Sequence, residues 1–138
     1  MYPAELVAPM KGELTNVGFK QLESAQDVDA ALSSAEGTTL LVFNSVCGCA
    51  AGAARPGVKL ALQNAKLPTH LVTAFAGVDK DAVNKAREYT LPYPPSSPSM
   101  ALFKDGKLVH FIERHQIEGN NAQTIADHST YLNDLKLE

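Results

Sequence analysis

The run Thr38-Thr39-Leu40-Leu41-Val42-Phe43-Asn44 is β-branched and apolar without clean alternation, the pattern of a strand covered on both faces of a sheet. A half-exposed strand would place a polar residue at every second position. The segment therefore belongs in the interior of a sheet that carries helices on both sides, an α/β arrangement. With 138 residues, 45% of them hydrophobic, the chain can build one compact core of this kind, and a single domain over 1–138 is expected.

The flanking segments fit that scheme. Leu6, Val7, Met10, Leu14 and Val17 recur at helical spacing, predicting an N-terminal helix that Pro9 kinks or splits. Phe19 to Leu22 reads as a short edge strand. Ser24 with Asp27 is an N-cap and third-position acid opening a helix that carries Val28, Ala31 and Leu32, with Gly37 as its natural stop. From Cys47 to about Ala65 the composition favours helix, with a break near Arg55-Pro56. His70 to Val78 is a second buried strand candidate, and Asp81 to Tyr89 a helix with an acidic first turn. Four of the 8 prolines then fall in Leu91 to Pro98, which excludes helix and central strand. After them, Ser99 to Phe103 and Lys107 to Ile112 flank Lys104-Asp105-Gly106, a strong hairpin signal. A closing helix from about Asn121 to Leu135 would place Ile125, His128, Leu132 and Leu135 on one side. The order gives a mixed sheet between helices, whose ligands gather where strand carboxyl ends meet helix N-termini.

The 2 cysteines, Cys47 and Cys49, fall at that junction, after the first buried strand. A secreted disulfide scaffold is excluded, because this pair closes only a tiny loop. The opening residues Met1-Tyr2-Pro3-Ala4-Glu5-Leu6 lack a basic start followed by an apolar run, and no stretch approaches the roughly 18 apolar residues of a membrane span; a cytoplasmic, reducing location is the expectation. With 12 basic and 15 acidic residues and a net charge of -3, the chain has no window rich in Lys and Arg, which argues against nucleic acid as a partner.

A thiol at a helix N-terminus is shifted toward thiolate, the nucleophile of disulfide exchange. Cys47, nearer the strand end, is expected to attack, and Cys49, deeper, to resolve, with Gly48 letting the backbone bend so that the sulfurs meet. A bridge across one intervening residue closes a smaller ring than the usual two-residue spacing, and its strain moves the potential to the oxidising side of thioredoxin's, about −270 mV. Two other readings stay open. The cysteines are small buried residues, or they are metal ligands, for which copper(I) is a better candidate than zinc because no second Cys pair exists and His70, His110, His115 and His128 would have to complete a site. Phosphate-binding glycine loops, paired hydrolytic acids and metalloprotease motifs are absent, and Asp127 beside His128 is no dyad by adjacency.

The stretch Asn44-Ser45-Val46-Cys47-Gly48-Cys49-Ala50-Ala51-Gly52, continued by Ala54-Arg55-Pro56, resembles the active-site segment of the bacilliredoxins, a thioredoxin-like family. Pro98-Ser99, the Lys104-Asp105-Gly106 turn and Val109 to His115 extend the resemblance over nearly the whole chain. It implies a thioredoxin-like three-layer sandwich with an extra N-terminal helix, and thiol-disulfide chemistry with bacillithiol as thiol co-substrate and no tightly bound cofactor. Bacillithiolated proteins would be the partners, with Cys47 taking bacillithiol onto itself and Cys49 or free bacillithiol clearing it. Protein disulfide isomerase is the alternative within the same chemistry. The resemblance also places Pro98 at the family's cis-proline, which would let Ser97 present its backbone N–H and C=O to an extended substrate. Arg55 is the candidate to steer an anionic thiol from the surface; Tyr93 either lines the groove or packs locally. No metal site is expected on this reading.

Overall fold

The computed structural model describes residues 2–33, 36–48, 50–63 and 68–117. Helix α1 spans Ala4–Thr15, strand β1 Lys20–Gln21, α2 Ala25–Leu32 and β2 Thr38–Asn44. A five-residue π-helical turn, Ala50–Ala54, runs directly into α3, Arg55–Ala61. Then come β3 (His70–Phe75), α4 (Lys80–Tyr89), β4 (Ser99–Lys104), β5 (Lys107–Ile112) and a short α5 (Arg114–Ile117). The closing helix expected over Asn121 to Leu135, with Asp127 and His128, lies outside the described residues, as does Cys49.

The five strands lie in the order β1-β3-β2-β4-β5. β3 runs parallel to β1 and β2, whereas β4 is antiparallel to both β2 and β5. All seven residues of β2 are buried, and the two cores explain why. Leu41 and Phe43 pack on one face with Val28 and Leu32 of α2 and Ala82, Val83 and Ala86 of α4. Leu40 and Val42 pack on the other with Leu14 of α1, Ala53, Ala54 and Val58. Each buried Leu, Val or Phe among them contributes about 1.5–3 kcal/mol of burial, so both faces of β2 hold the layers together. This is the thioredoxin-like α/β sandwich. No helix among the described residues is long and apolar enough to cross a membrane.

The local signals hold with three differences. The capping box forms as read: Ser24 Oγ accepts from the Asp27 N–H and the Asp27 carboxylate accepts from the Ser24 N–H. Pro9, however, neither splits nor ends α1, which runs through it; Pro9 lies on the exposed side, where water can replace the missing donor. Gly37 does not stop α2, which is capped at Ser33. It adopts φ +81° at the entrance to β2, and a Cβ there would meet Thr69 Oγ1 at 2.6 Å. β3 ends at Phe75 rather than Val78, because the N–H groups of Val78 and Asp79 turn back to the Phe75 carbonyl. In the β4–β5 hairpin, Asp105 and Gly106 both have positive φ, 51° and 81°, as a tight two-residue turn matched to the strand twist requires. Its register shifts once, by a β-bulge: Lys104↔Lys107 and Phe103↔Leu108 on the turn side, Leu102↔His110 to Met100↔Ile112 beyond it.

Candidate active site

Three residues past the end of β2, Cys47 is fixed by a chain of hydrogen bonds that begins inside the strand. Asn44 Oδ1 accepts from the Ser45 N–H at 2.8 Å, and Ser45 Oγ accepts from the Cys47 N–H at 3.1 Å. The Cys47 carbonyl then accepts from the N–H groups of Ala50 and Ala51 at 3.0 and 3.2 Å, starting the π-helical turn. Local side chains thus take the place of the sheet ladder where the strand ends.

Arg55 anchors this loop from behind. Its Nη1 donates to Asn44 Oδ1 at 3.0 Å and to the Ser45 carbonyl at 2.6 Å, and its Nε donates to Glu13 Oε2 at 2.7 Å. Asn44 Nδ2 donates to the Met10 carbonyl of α1 at 3.1 Å. Arg55 is 2% exposed, which corrects the expectation that it steers a ligand from the surface. The π-helical turn rotates it inward, and its guanidinium serves the backbone two residues before the cysteine instead.

In front of the loop, Cys47 lines a cleft of about 280 Å³ together with Tyr2, Ser45, Val46, Ala76, Gly77, Ser97 and Arg114. The Ser97-Pro98 peptide is cis, as is Leu91-Pro92. Pro98 is buried and Ser97 half-buried. Gly48 is exposed, and a Cβ there would meet nothing within 4 Å; the approach to Cys47 from that side is open. Glycine is thus not demanded at 48 by crowding or by a positive φ; the bend expected to bring the two sulfurs together involves Cys49, which lies outside the described residues.

Arg114 crosses the mouth of the cleft. Its Nη1 donates to the Ser97 carbonyl at 3.1 Å and its Nη2 to Cys47 Sγ at 3.3 Å, while its N–H donates to Ser96 Oγ at 3.3 Å. Sequence reasoning passed over Arg114: nothing in the spacing of residues 47 and 114 brings them together, and only the sheet pairing does. Tyr93 stacks on Phe111, ring centroids 4.9 Å apart, so it packs locally and is not among the residues lining the cleft. Among the described residues no three His, Cys, Asp or Glu side chains converge on a point that could hold a metal. His70 Nε2 contacts the Glu36 carbonyl and His115 Nε2 the Glu113 carboxylate.

A family model described as disulphide isomerase matches residues 2–134. A bacilliredoxin from Cytophaga hutchinsonii is 65% identical over 128 residues, 93% of this chain and 94% of its own length. Another, from Halalkalibacterium halodurans, is 56% identical over 124 residues, 90% of this chain and 86% of its own. Among solved structures, oxidised mitochondrial thioredoxin 3 from Saccharomyces cerevisiae matches with a TM-score of 0.57 over 86% of this chain and 97% of its own, at 16% identity. Fasciola hepatica thioredoxin does so at 0.53 over 83% and 99%, also at 16% identity. These two speak for the fold, and the two relatives, which match this chain nearly end to end, speak for more. On that kinship the chain belongs to the bacilliredoxin family of thiol-disulfide oxidoreductases.

Proposed function

We propose that the protein removes bacillithiol from proteins that carry it as a mixed disulfide, with Cys47 as the attacking sulfur. The observation that carries this reading is the position of Cys47, half-buried on one wall of an open cleft with the Ser97-Pro98 loop on another. The Cys47 thiolate attacks the bacillithiol sulfur, the protein leaves as its own thiolate, and Cys47 is left bonded to bacillithiol. The Cys49 thiolate then attacks Cys47 Sγ, expelling bacillithiol as thiolate and closing the Cys47–Cys49 disulfide; alternatively a second bacillithiol attacks the adduct and departs as the bacillithiol disulfide. Each exchange moves one bond and one charge, and no other redox group is required. Gly48, Ser97 and Pro98 border the approach to the sulfur; Ser97 and Pro98 would guide the incoming chain. A cytoplasmic, thiol-rich setting suits this chemistry.

The test is a Cys49→Ser variant incubated with a bacillithiol-capped protein. Intact mass is expected to show Cys47 carrying one bacillithiol and the capped protein restored. Failure of Cys47 to take up bacillithiol under any condition would overturn the assignment. The disulphide isomerase description of the matching family model favours one further reading, exchange among protein disulfides. Recovery of a scrambled substrate by the wild-type protein without any small thiol would select it.

A further inference from the structure

Within that reading, one side chain has no assigned role although it touches the reacting atom. We infer that Arg114 is a catalytic residue that holds Cys47 as thiolate. Its guanidinium donates through two different nitrogens, Nη2 to Cys47 Sγ at 3.3 Å and Nη1 to the Ser97 carbonyl at 3.1 Å. The second bond fixes the planar fork, so the first is aimed rather than found by chance. Among the described residues lining the cleft, Arg114 is the one charged side chain. A positive charge in hydrogen-bond contact favours the ionised sulfur, and the guanidinium itself stays protonated throughout.

The helix start that was expected to supply this charge is a poor source. The π-helical turn Ala50–Ala54 that runs into α3 offers at its start only the partial charge of a helix N-terminus, about half an elementary charge, whereas the guanidinium brings a whole one into contact with the sulfur. The other titratable groups near Cys47 do not replace Arg114. Tyr2 lines the cleft from the segment before α1. The Arg55–Glu13 pair lies behind the Ser45 carbonyl and is already matched at 2.7 Å. Among the described residues that line the cleft there is no acidic side chain. During exchange the negative charge spreads over three sulfurs in line, and a cation touching the attacking one favours its ionisation without changing the bonds made or broken.

The experiment is the pH dependence of iodoacetamide alkylation at Cys47 in the full chain, in a Cys49→Ser background so that a single thiol titrates. Arg114→Gln keeps a hydrogen-bond donor but removes the charge, and Arg114→Lys keeps the charge but loses the fork. Below the titration midpoint, Arg114→Gln is expected to alkylate about tenfold more slowly, one pKa unit of ionisation, and to converge with the parent at high pH where every sulfur is ionised. Arg114→Lys is expected to fall between them, and it carries the test if the glutamine variant does not fold. A proportional slowing at all pH values would mean that Arg114 only shapes access, and an unmoved midpoint would mean that it does nothing to the sulfur; either result overturns the inference. Alkylation uses no disulfide substrate, so such a failure would leave the bacillithiol-trapping result standing on its own.

Discussion

Replacing one member of the Arg55–Glu13 pair is predicted to be costlier on the acidic side than on the basic side, although both substitutions break the same 2.7 Å contact. The asymmetry comes from exposure: the Arg55 side chain is 2% exposed and that of Glu13 35%. In Arg55→Met, Glu13 keeps water and Lys59, 3.5 Å away, so the lost pair itself counts for about 1 kcal/mol or less. The Ser45 carbonyl loses its 2.6 Å donor in a buried setting, which costs about 1–3 kcal/mol. Methionine returns some of this by filling the space, so the net loss is about 2 kcal/mol. In Glu13→Leu, the guanidinium stays buried without its counter-charge, and the loss is about 3 kcal/mol, near the lower end for a broken buried pair because two neutral acceptors remain. At roughly 3–4 °C per kcal/mol for a chain of this size, midpoints fall by about 6–8 °C and about 10 °C. The double variant is expected to resemble Arg55→Met alone, because the two substitutions remove one shared interaction. Urea unfolding under reducing conditions measures all three, with unchanged m-values as the check on two-state behaviour. If Glu13→Leu proves cheaper than Arg55→Met, the guanidinium is not held as a desolvated cation and the anchoring of the cysteine loop through it is wrong.

Two further outcomes follow from the turns and caps. Gly37→Ala is expected to cost about 1–3 kcal/mol, since it puts a side chain at positive φ and pushes against Thr69, whereas Gly48→Ala is expected to change the thermal midpoint by no more than about 2 °C, the effect of roughly 0.5 kcal/mol. Asp27 is held below its ordinary 3.8 chiefly by the Glu23 N–H and also by the N–H and hydroxyl of Ser24; because the folded value is the lower one, its contribution is complete above the unfolded value and is lost as pH falls through the folded one. Asp27→Asn is therefore predicted to be less stable than wild type at neutral pH and to converge with it in acid, as a comparison of urea midpoints from neutral pH down to about pH 3 would show.

Much of this architecture was legible in the chain itself because its strongest signals are local. The unbroken apolar run of β2, the Ser24/Asp27 box and the Asp105-Gly106 turn each encode their own geometry over a few residues. The break expected near Arg55-Pro56 is a change from π-helical to α-helical winding without interruption of the helix. What escaped was long-range. Arg55 looks like a helix-surface arginine until the π-helical turn rotates it toward Asn44, and Glu13 lies 42 residues away. Arg114 and Cys47 are 67 residues apart, and no propensity or spacing rule joins them. At Gly48 the sequence does not show what surrounds the residue, and the structure finds open space for a substituent there.

The single extra residue in β5 acquires its meaning at the far end of the hairpin. Beyond the bulge Met100 pairs with Ile112, the last residue of β5, and two residues further on Arg114 opens α5 with its Nη2 3.3 Å from Cys47 Sγ. Carried through from the turn in the register of Lys104↔Lys107, the same ladder would set Phe111 opposite Met100 and displace everything after it by one residue. A one-residue slip exchanges the neighbours that a strand presents. The irregularity between Leu102 and Phe103 therefore works at a distance: it sets the phase in which the chain leaves β5 for the segment that carries Arg114.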